Sequence, residues 1–184
     1  KAGFDFYAGS GFLKPATTAT KKSAPNIFRI FEEAGYTVAR GMNDYKEKVA
    51  GAKKMILIQP EGADVSSLPY AIDRKEGDLT LAEITASAIE FLSKDNKKGF
   101  FLMVEGGKID WSCHGNDAAT TMEEVVDFDN AIKVAYEFYK KHPKETLIVV
   151  TADHETGGLS MGTSGYTLKL KALASQKQSQ DLLS

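Results

Sequence analysis

Val104-Glu105-Gly106-Gly107-Lys108-Ile109-Asp110-Trp111-Ser112-Cys113-His114 decides how this chain is read, together with Thr151-Ala152-Asp153-His154-Glu155-Thr156-Gly157-Gly158. Each stretch follows an apolar run: Phe100-Phe101-Leu102-Met103-Val104 before the first, Leu147-Ile148-Val149-Val150 before the second. Short continuous apolar runs predict strands buried in a parallel sheet. Two Asp–His pairs and a Glu then stand at the carboxyl ends of two expected strands, where open α/β sheets keep their ligand sites. Carboxylate oxygen and imidazole nitrogen are ligands that Zn²⁺ accepts, and oxygen-rich positions suit Mg²⁺.

The local geometry can be read further. Asp110 and His114 fall at i and i+4, so a turn of helix after Gly107 would align them on one face. Adjacent Asp153 and His154 cannot both point inward from a regular strand, because neighbouring side chains alternate faces. The backbone must leave strand geometry there, and Gly157 and Gly158 suit a sharp exit.

Around these segments the pattern alternates. Ser23-Ala24-Pro25 predicts a helix start, with Ile27, Ile30, Phe31 and Ala34 on its apolar face and Gly35 at its end. Tyr36–Ala39 and Met55–Ile58 predict strands, and 60–78 reads as irregular. Thr80-Leu81-Ala82-Glu83 is a capping box opening a helix that continues through Leu92. A long helix is expected from about Asp117 to Lys141, with Met122, Val125, Val126, Ile132, Ala135 and Phe138 as its apolar stripe. A strand follows at 145–151, and another helix is expected across 168–183. Such alternation implies an α/β fold, a three-layer α/β/α sandwich with a mainly parallel sheet. The five metal-type residues should converge at one sheet edge. Residues 1–22 read as a loop, and both 1–22 and 163–184 as peripheral to a single partial domain spanning 1–184.

Composition is that of an ordinary globular protein of 184 residues, 42% hydrophobic and 26% charged. A net charge of −2 gives no electrostatic case for nucleic acid or an anionic membrane. No apolar run reaches transmembrane length. Lys1-Ala2-Gly3-Phe4 is not a signal peptide. The single cysteine, Cys113, excludes an internal disulfide and reads as a small buried thiol. Trp111 is expected to pack, and Asp127 and Asp129 to be solvated or ion-paired. Lys108 fits a phosphate pocket or a solvated surface equally. His142, in Lys140-Lys141-His142-Pro143, reads as a polar helix end.

Taken together, Glu105, Asp110, His114 and the Asp153-His154 pair at this spacing resemble the metal-binding core of the alkaline phosphatase family. The resemblance runs from about Ser23 to Gly162 and is densest from Gly99 to Gly158. It implies that Glu105 serves Mg²⁺, Asp110 and His114 one Zn²⁺, and Asp153 and His154 the other. It implies hydrolysis of phosphate monoesters through a phosphoserine, by a periplasmic or secreted parent that forms a homodimer. The chain departs from the family in lacking the nucleophilic Ser segment, the Asp bridging zinc and magnesium, the Thr of the magnesium site, the phosphate-binding Arg and the last zinc-ligand His. It therefore resembles an internal piece, expected to bind zinc weakly or not at all and to be inactive alone. A phosphodiesterase, a sulfatase or a cofactor-independent phosphoglycerate mutase shares such metal segments, and a non-catalytic metal-binding domain is a further alternative.

Overall fold

Strands β1 (Phe6–Gly9), β2 (Tyr36–Arg40) and β3 (Lys54–Ile58) form one sheet in the order β1-β3-β2. The computed structural model describes residues 3–16, 23–60, 66–160, 165, 167 and 169–183. Both pairings are parallel, with Phe6 opposite Met55 and Tyr36 opposite Lys54. The chain divides into two compact units. The first comprises Lys1–Pro69, Lys75–Leu79 and Ala86–Leu102; the second comprises Tyr70–Arg74, Thr80–Thr85 and Met103–Ser184.

In the first unit β3 is buried on both faces, as its unbroken apolar run requires. One face packs Ile56 and Ile58 with Tyr36, against Tyr7, Phe12, Phe28, Phe31 and Val38. Phe28 and Phe31 come from α1 (Ile27–Glu33), whose first turn is capped by the Asn26 side chain accepting the Phe28 N–H. Gly35, at φ +85°, lets the chain leave α1 and enter β2 directly. On the opposite face Phe6 meets Phe91 at 5.7 Å between ring centroids. Phe91 lies in the second half of α3 (Leu81–Ser93). The Tyr45 hydroxyl of α2 (Gly41–Lys48) donates to the Ser87 carbonyl at 3.0 Å, joining α2 to that same layer. Helices thus cover both faces of a parallel sheet, which is the α/β layering expected. The segment read as an N-terminal loop instead supplies β1 and the core aromatics Tyr7 and Phe12; residues 1–2 and 17–22 lie outside the described residues.

The second unit holds α4 (Lys108–His114), α5 (Ala118–Lys141) and the short α6 (Gln180–Leu183). Where one helix was expected across 168–183, a 3₁₀ turn at Leu170–Ser175 precedes α6, and Leu168 lies outside the described residues. Ser179 is buried, and its N–H donates to Asp73 at 2.8 Å.

Two strand expectations fail. Residues 99–104 and 145–151 join no sheet among the described residues, and Phe101 and Leu147 are each 87% exposed. An apolar run supplies strand propensity, but a strand exists only when another backbone pairs with its N–H and C=O groups. The stripe assigned to α5 also differs. Met122, Val125 and Val126 are about half exposed, while Thr120, Thr121, Glu124 and Ala131 are buried. Its inward seam is polar because it answers hydrogen-bond donors of Ala71 and Arg74.

The capping box forms as expected. The Glu83 N–H donates to Thr80 Oγ1 at 3.0 Å, and the Thr80 N–H to Glu83 Oε2 at 2.9 Å. Thr80→Ala is therefore expected to cost ~1 kcal/mol, and Leu57→Ala, at a fully buried site of β3, ~2–5 kcal/mol. Urea unfolding followed by circular dichroism checks both; equal losses would show that β3 is not the better-packed position.

Candidate metal centre

Helix α4 is a two-turn platform. Its start is closed by the Ile109 N–H donating to the Gly106 carbonyl at 3.1 Å, and its end by the Gly115 N–H donating to Trp111. Ser112 and Cys113 point inward: Thr121 Oγ1 of α5 donates to Ser112 Oγ at 2.9 Å and sits 3.7 Å from Cys113 Sγ. Cys113 is the small buried thiol expected. With that face pinned, Asp110 and His114 share another, and Asp110 Oδ2 lies 3.3 Å from His114 Nε2. Trp111 is half exposed rather than packed, with the Lys108 ammonium 4.9 Å from its ring centroid and 3.5 Å from that of Tyr70.

The other pair sits on the segment after 151. Asp153 Oδ2 lies 3.5 Å from His154 Nε2, and both side chains are exposed. The backbone has no strand geometry here and turns at Gly157 and Gly158, with φ of +60° and +70°. The Gly158 N–H donates to Glu155 Oε2 at 3.2 Å. His154 Nδ1–H donates to the Glu155 carbonyl, which leaves Nε2 as the nitrogen with a lone pair. That hydrogen bond, then the Asp153 carboxylate, raises the His154 pKa above the ordinary imidazole value. The negative charge of Asp110 adds to the shift. Glu105 is exposed just before α4; a Cβ on Gly107 would stand 3.0 Å from its Oε1. Among the described residues no three His, Cys, Asp or Glu side chains gather around one point that could hold an ion. Asp110 and His114 thus lie on a helix and Asp153 and His154 on a turn, and among the described residues no sheet edge joins them.

Asp110 Oδ1 is buried and accepts no hydrogen bond from the described residues. A carboxylate oxygen withdrawn from water without a donor is costly, and a cation is the partner that relieves it. Asp110 together with a histidine that presents Nε2 therefore fits a divalent metal.

Sequence patterns missed the polar frame under this platform. Asp117 caps α5, accepting from the Thr120 hydroxyl, the Gln180 N–H and the Gln176 amide, each at 2.7 Å. Glu124 accepts the Ala71 N–H at 2.6 Å, and Arg74 forms a bidentate pair with Asp127 at 2.9 Å. Burial raises the Glu124 pKa. Thr120, Glu124, Asp127 and Ala131 follow helical spacing, a signal that could have marked an inward polar seam. Asp129 pairs with Lys133, and His142 ends α5 against Phe138, 3.9 Å from Glu145, so neither joins the centre.

The alkaline phosphatase family profile matches residues 20–184. Alkaline phosphatase 3 of Bacillus subtilis is 39% identical over 160 residues, covering 86% of this chain and 33% of its own length. The cold-active alkaline phosphatase of Shewanella sp. superposes with a TM-score of 0.71 at 35% identity, over 94% of this chain and 39% of that one. A mutant of the TAB5 alkaline phosphatase, from an Antarctic bacterium and solved with Mg bound, superposes at 0.61 and 33% identity, covering 75% and 37%. The chain spans about a third of the curated relatives it matches, 33% and 29% of two from Bacillus subtilis.

The frame has an acid limit. Burial alone would raise the Asp117 pKa, but hydrogen bonds from Gln180, Thr120 and Gln176 outweigh it and hold the carboxyl below its ordinary value. A depressed folded-state pKa stabilises the fold above the unfolded value of about 3.9, and that contribution fades as pH falls through the lower folded value. Asp117→Asn should therefore lose stability at neutral pH and show a shallower decline below about pH 4 than the parent. Urea midpoints across pH 2.5–7 test this; parallel curves for both proteins would refute it.

Proposed function

Because the chain belongs to the alkaline phosphatase family, we propose that its full-length parent hydrolyses phosphate monoesters. Glu105, Asp110, His114, Asp153 and His154 are its metal-holding residues within this chain. The observation that carries this is the buried Oδ1 of Asp110, without a donor among the described residues and on a helix face that Asp110 shares with His114.

Asp110 and His114 would hold one zinc, Asp153 and His154 the second, and Glu105 the magnesium. When bound, paired zinc ions supply positive charge against the phosphoryl oxygens and lower the pKa of a hydroxyl nucleophile. The residues of this chain prepare for that. Asp110 buries an oxygen that accepts no hydrogen bond from the described residues. His154 commits Nδ1–H to the Glu155 carbonyl, so the ring is oriented and Nε2, on the side of the Asp153 carboxylate, is left as the ligand nitrogen. Ser112 and Thr121 tie α4 to α5, so that Asp110 and His114 stay on one face. The serine that would carry the phosphoryl group belongs to a part of the parent outside these residues, as does the Arg that would clamp the phosphate. The parent would act outside the cytoplasm, in the periplasm or secreted, as a homodimer with a broad set of monoester substrates.

The test is release of nitrophenol from nitrophenyl phosphate by the parent and by the 184-residue chain, each with Zn²⁺ and Mg²⁺. The parent should turn over and the isolated chain should not, since removal of one member of a cooperating catalytic set already forfeits most of its effect. In the parent, Asp153→Ala or His154→Ala should lower kcat on the order of 10²-fold or more, and His142→Ala should leave it unchanged. Turnover by the isolated chain, abolished by Asp153→Ala, would mean that a nucleophile lies within these residues. An inactive parent with an intact serine segment would refute monoester hydrolysis.

A further inference from the structure

We propose that Gly157 is a positioning residue of the metal centre: its bare Cα seats the Asp153-His154 turn against the end of α4 and so sets the spacing of the two Asp–His pairs. The proposal rests on the metal-ligand assignment made above and adds the contact that holds the pairs in register.

A Cβ on Gly157 would lie 2.6 Å from the His114 backbone nitrogen, 2.8 Å from the Cys113 carbonyl carbon and 2.9 Å from Cys113 Cβ. Two of these atoms are α4 backbone, which no side-chain rotation can move aside. Gly157 therefore touches the peptide that carries His114, one of the proposed ligands, and stands three residues after His154, another. Any displacement at this contact becomes a displacement of one pair relative to the other. Metal sites demand ligand placement to a fraction of an ångström. Gly158 provides an internal control. It shares the left-handed conformation, at φ +70° against +60° for Gly157, but among the described residues a Cβ there meets nothing within 4 Å. Backbone strain is thus common to both glycines, and close approach to α4 belongs to Gly157. The contact also closes over Cys113, which is 3% exposed, so the seating of the turn has a reporter independent of metal.

The experiment compares Gly157→Ala, Gly158→Ala and Asp153→Ala in the full-length parent. Three quantities are read: zinc affinity by chelator competition, the visible spectrum of the cobalt-substituted protein, and the rate at which the Cys113 thiol reacts with an aromatic disulfide reagent. Gly157→Ala should weaken zinc binding ~10- to 100-fold, alter the cobalt spectrum and expose Cys113. Gly158→Ala should keep the parent's spectrum and a shielded thiol. Equal behaviour of the two glycine variants overturns the positioning role. Zinc lost in Asp153→Ala but fully retained in Gly157→Ala overturns it too, with the ligand assignment intact. Zinc unaffected by Asp153→Ala overturns the ligand assignment itself, and the role with it. Should Gly157→Ala not fold, the unsubstituted parent stripped of metal gives the answer. Its Cys113 must stay shielded, because the seating is backbone against backbone; a folded apoprotein whose Cys113 reacts like an exposed thiol overturns the proposal.

Discussion

Strand β3 bonds to a neighbour on each edge, and the first unit depends on that double pairing. Five consecutive residues with little polar content can be withdrawn from water only if their backbone groups are satisfied on both sides. β1 and β2 supply those bonds in parallel register. Once β3 is in place, its two faces recruit different partners. The aromatic side chains of α1 and the N-terminal segment cover one, and Phe91 with Phe6 the other. The same rule explains what does not form. Residues 99–104 and 145–151 have comparable apolar runs, yet among the described residues no backbone pairs with them.

The second unit is organised by polar satisfaction more than by apolar packing. α5 turns Thr120, Glu124 and Asp127 inward and leaves Met122, Val125 and Val126 half exposed. Glu124, Asp127 and the capping Asp117 each accept hydrogen bonds within 3 Å, from Ala71, Arg74, and Gln176 with Gln180 respectively. Such a network specifies an orientation sharply, because rotating the helix would orphan several charged groups at once. It also fixes α4, through Thr121 and Ser112, and α4 carries Asp110 and His114.

The candidate centre then depends on two backbone devices. One is helical period, which brings Asp110 to His114. The other is the left-handed turn at Gly157, which lets the Asp153-His154 segment lie on the end of α4. Between them they bring the turn that carries one imidazole–carboxylate pair against the end of the helix that carries the other, and among the described residues Asp110 Oδ1 has no donor. Whatever ligand such a site takes, its ordering would be done by the fold before binding, which lowers the reorganisation cost.

Much of this was legible in the chain itself. The capping box at Thr80–Glu83, the Asp110–His114 turn and the Asp117 cap are local, each set by a few neighbouring residues and their hydrogen bonds, and the apolar runs at Tyr36 and Met55 marked where strands could form. The departure from strand geometry at Asp153-His154 followed from side-chain alternation alone. Membership of the family was likewise carried by the spacing of five residues. What the chain could not declare was which apolar run would find a partner, which face of α5 would turn inward, and where Gly157 would rest. β1 reads as loop because Phe6–Gly9 is short and flanked by glycines; only pairing with β3 makes it a strand. The α5 seam reads as apolar because hydrophobic periodicity ignores distant donors such as Ala71 and Arg74. Local hydrogen bonding and side-chain period are properties of sequence, whereas strand pairing, helix facing and the close approach of Gly157 to α4 are contacts between segments remote in the chain, and tertiary structure alone decides those.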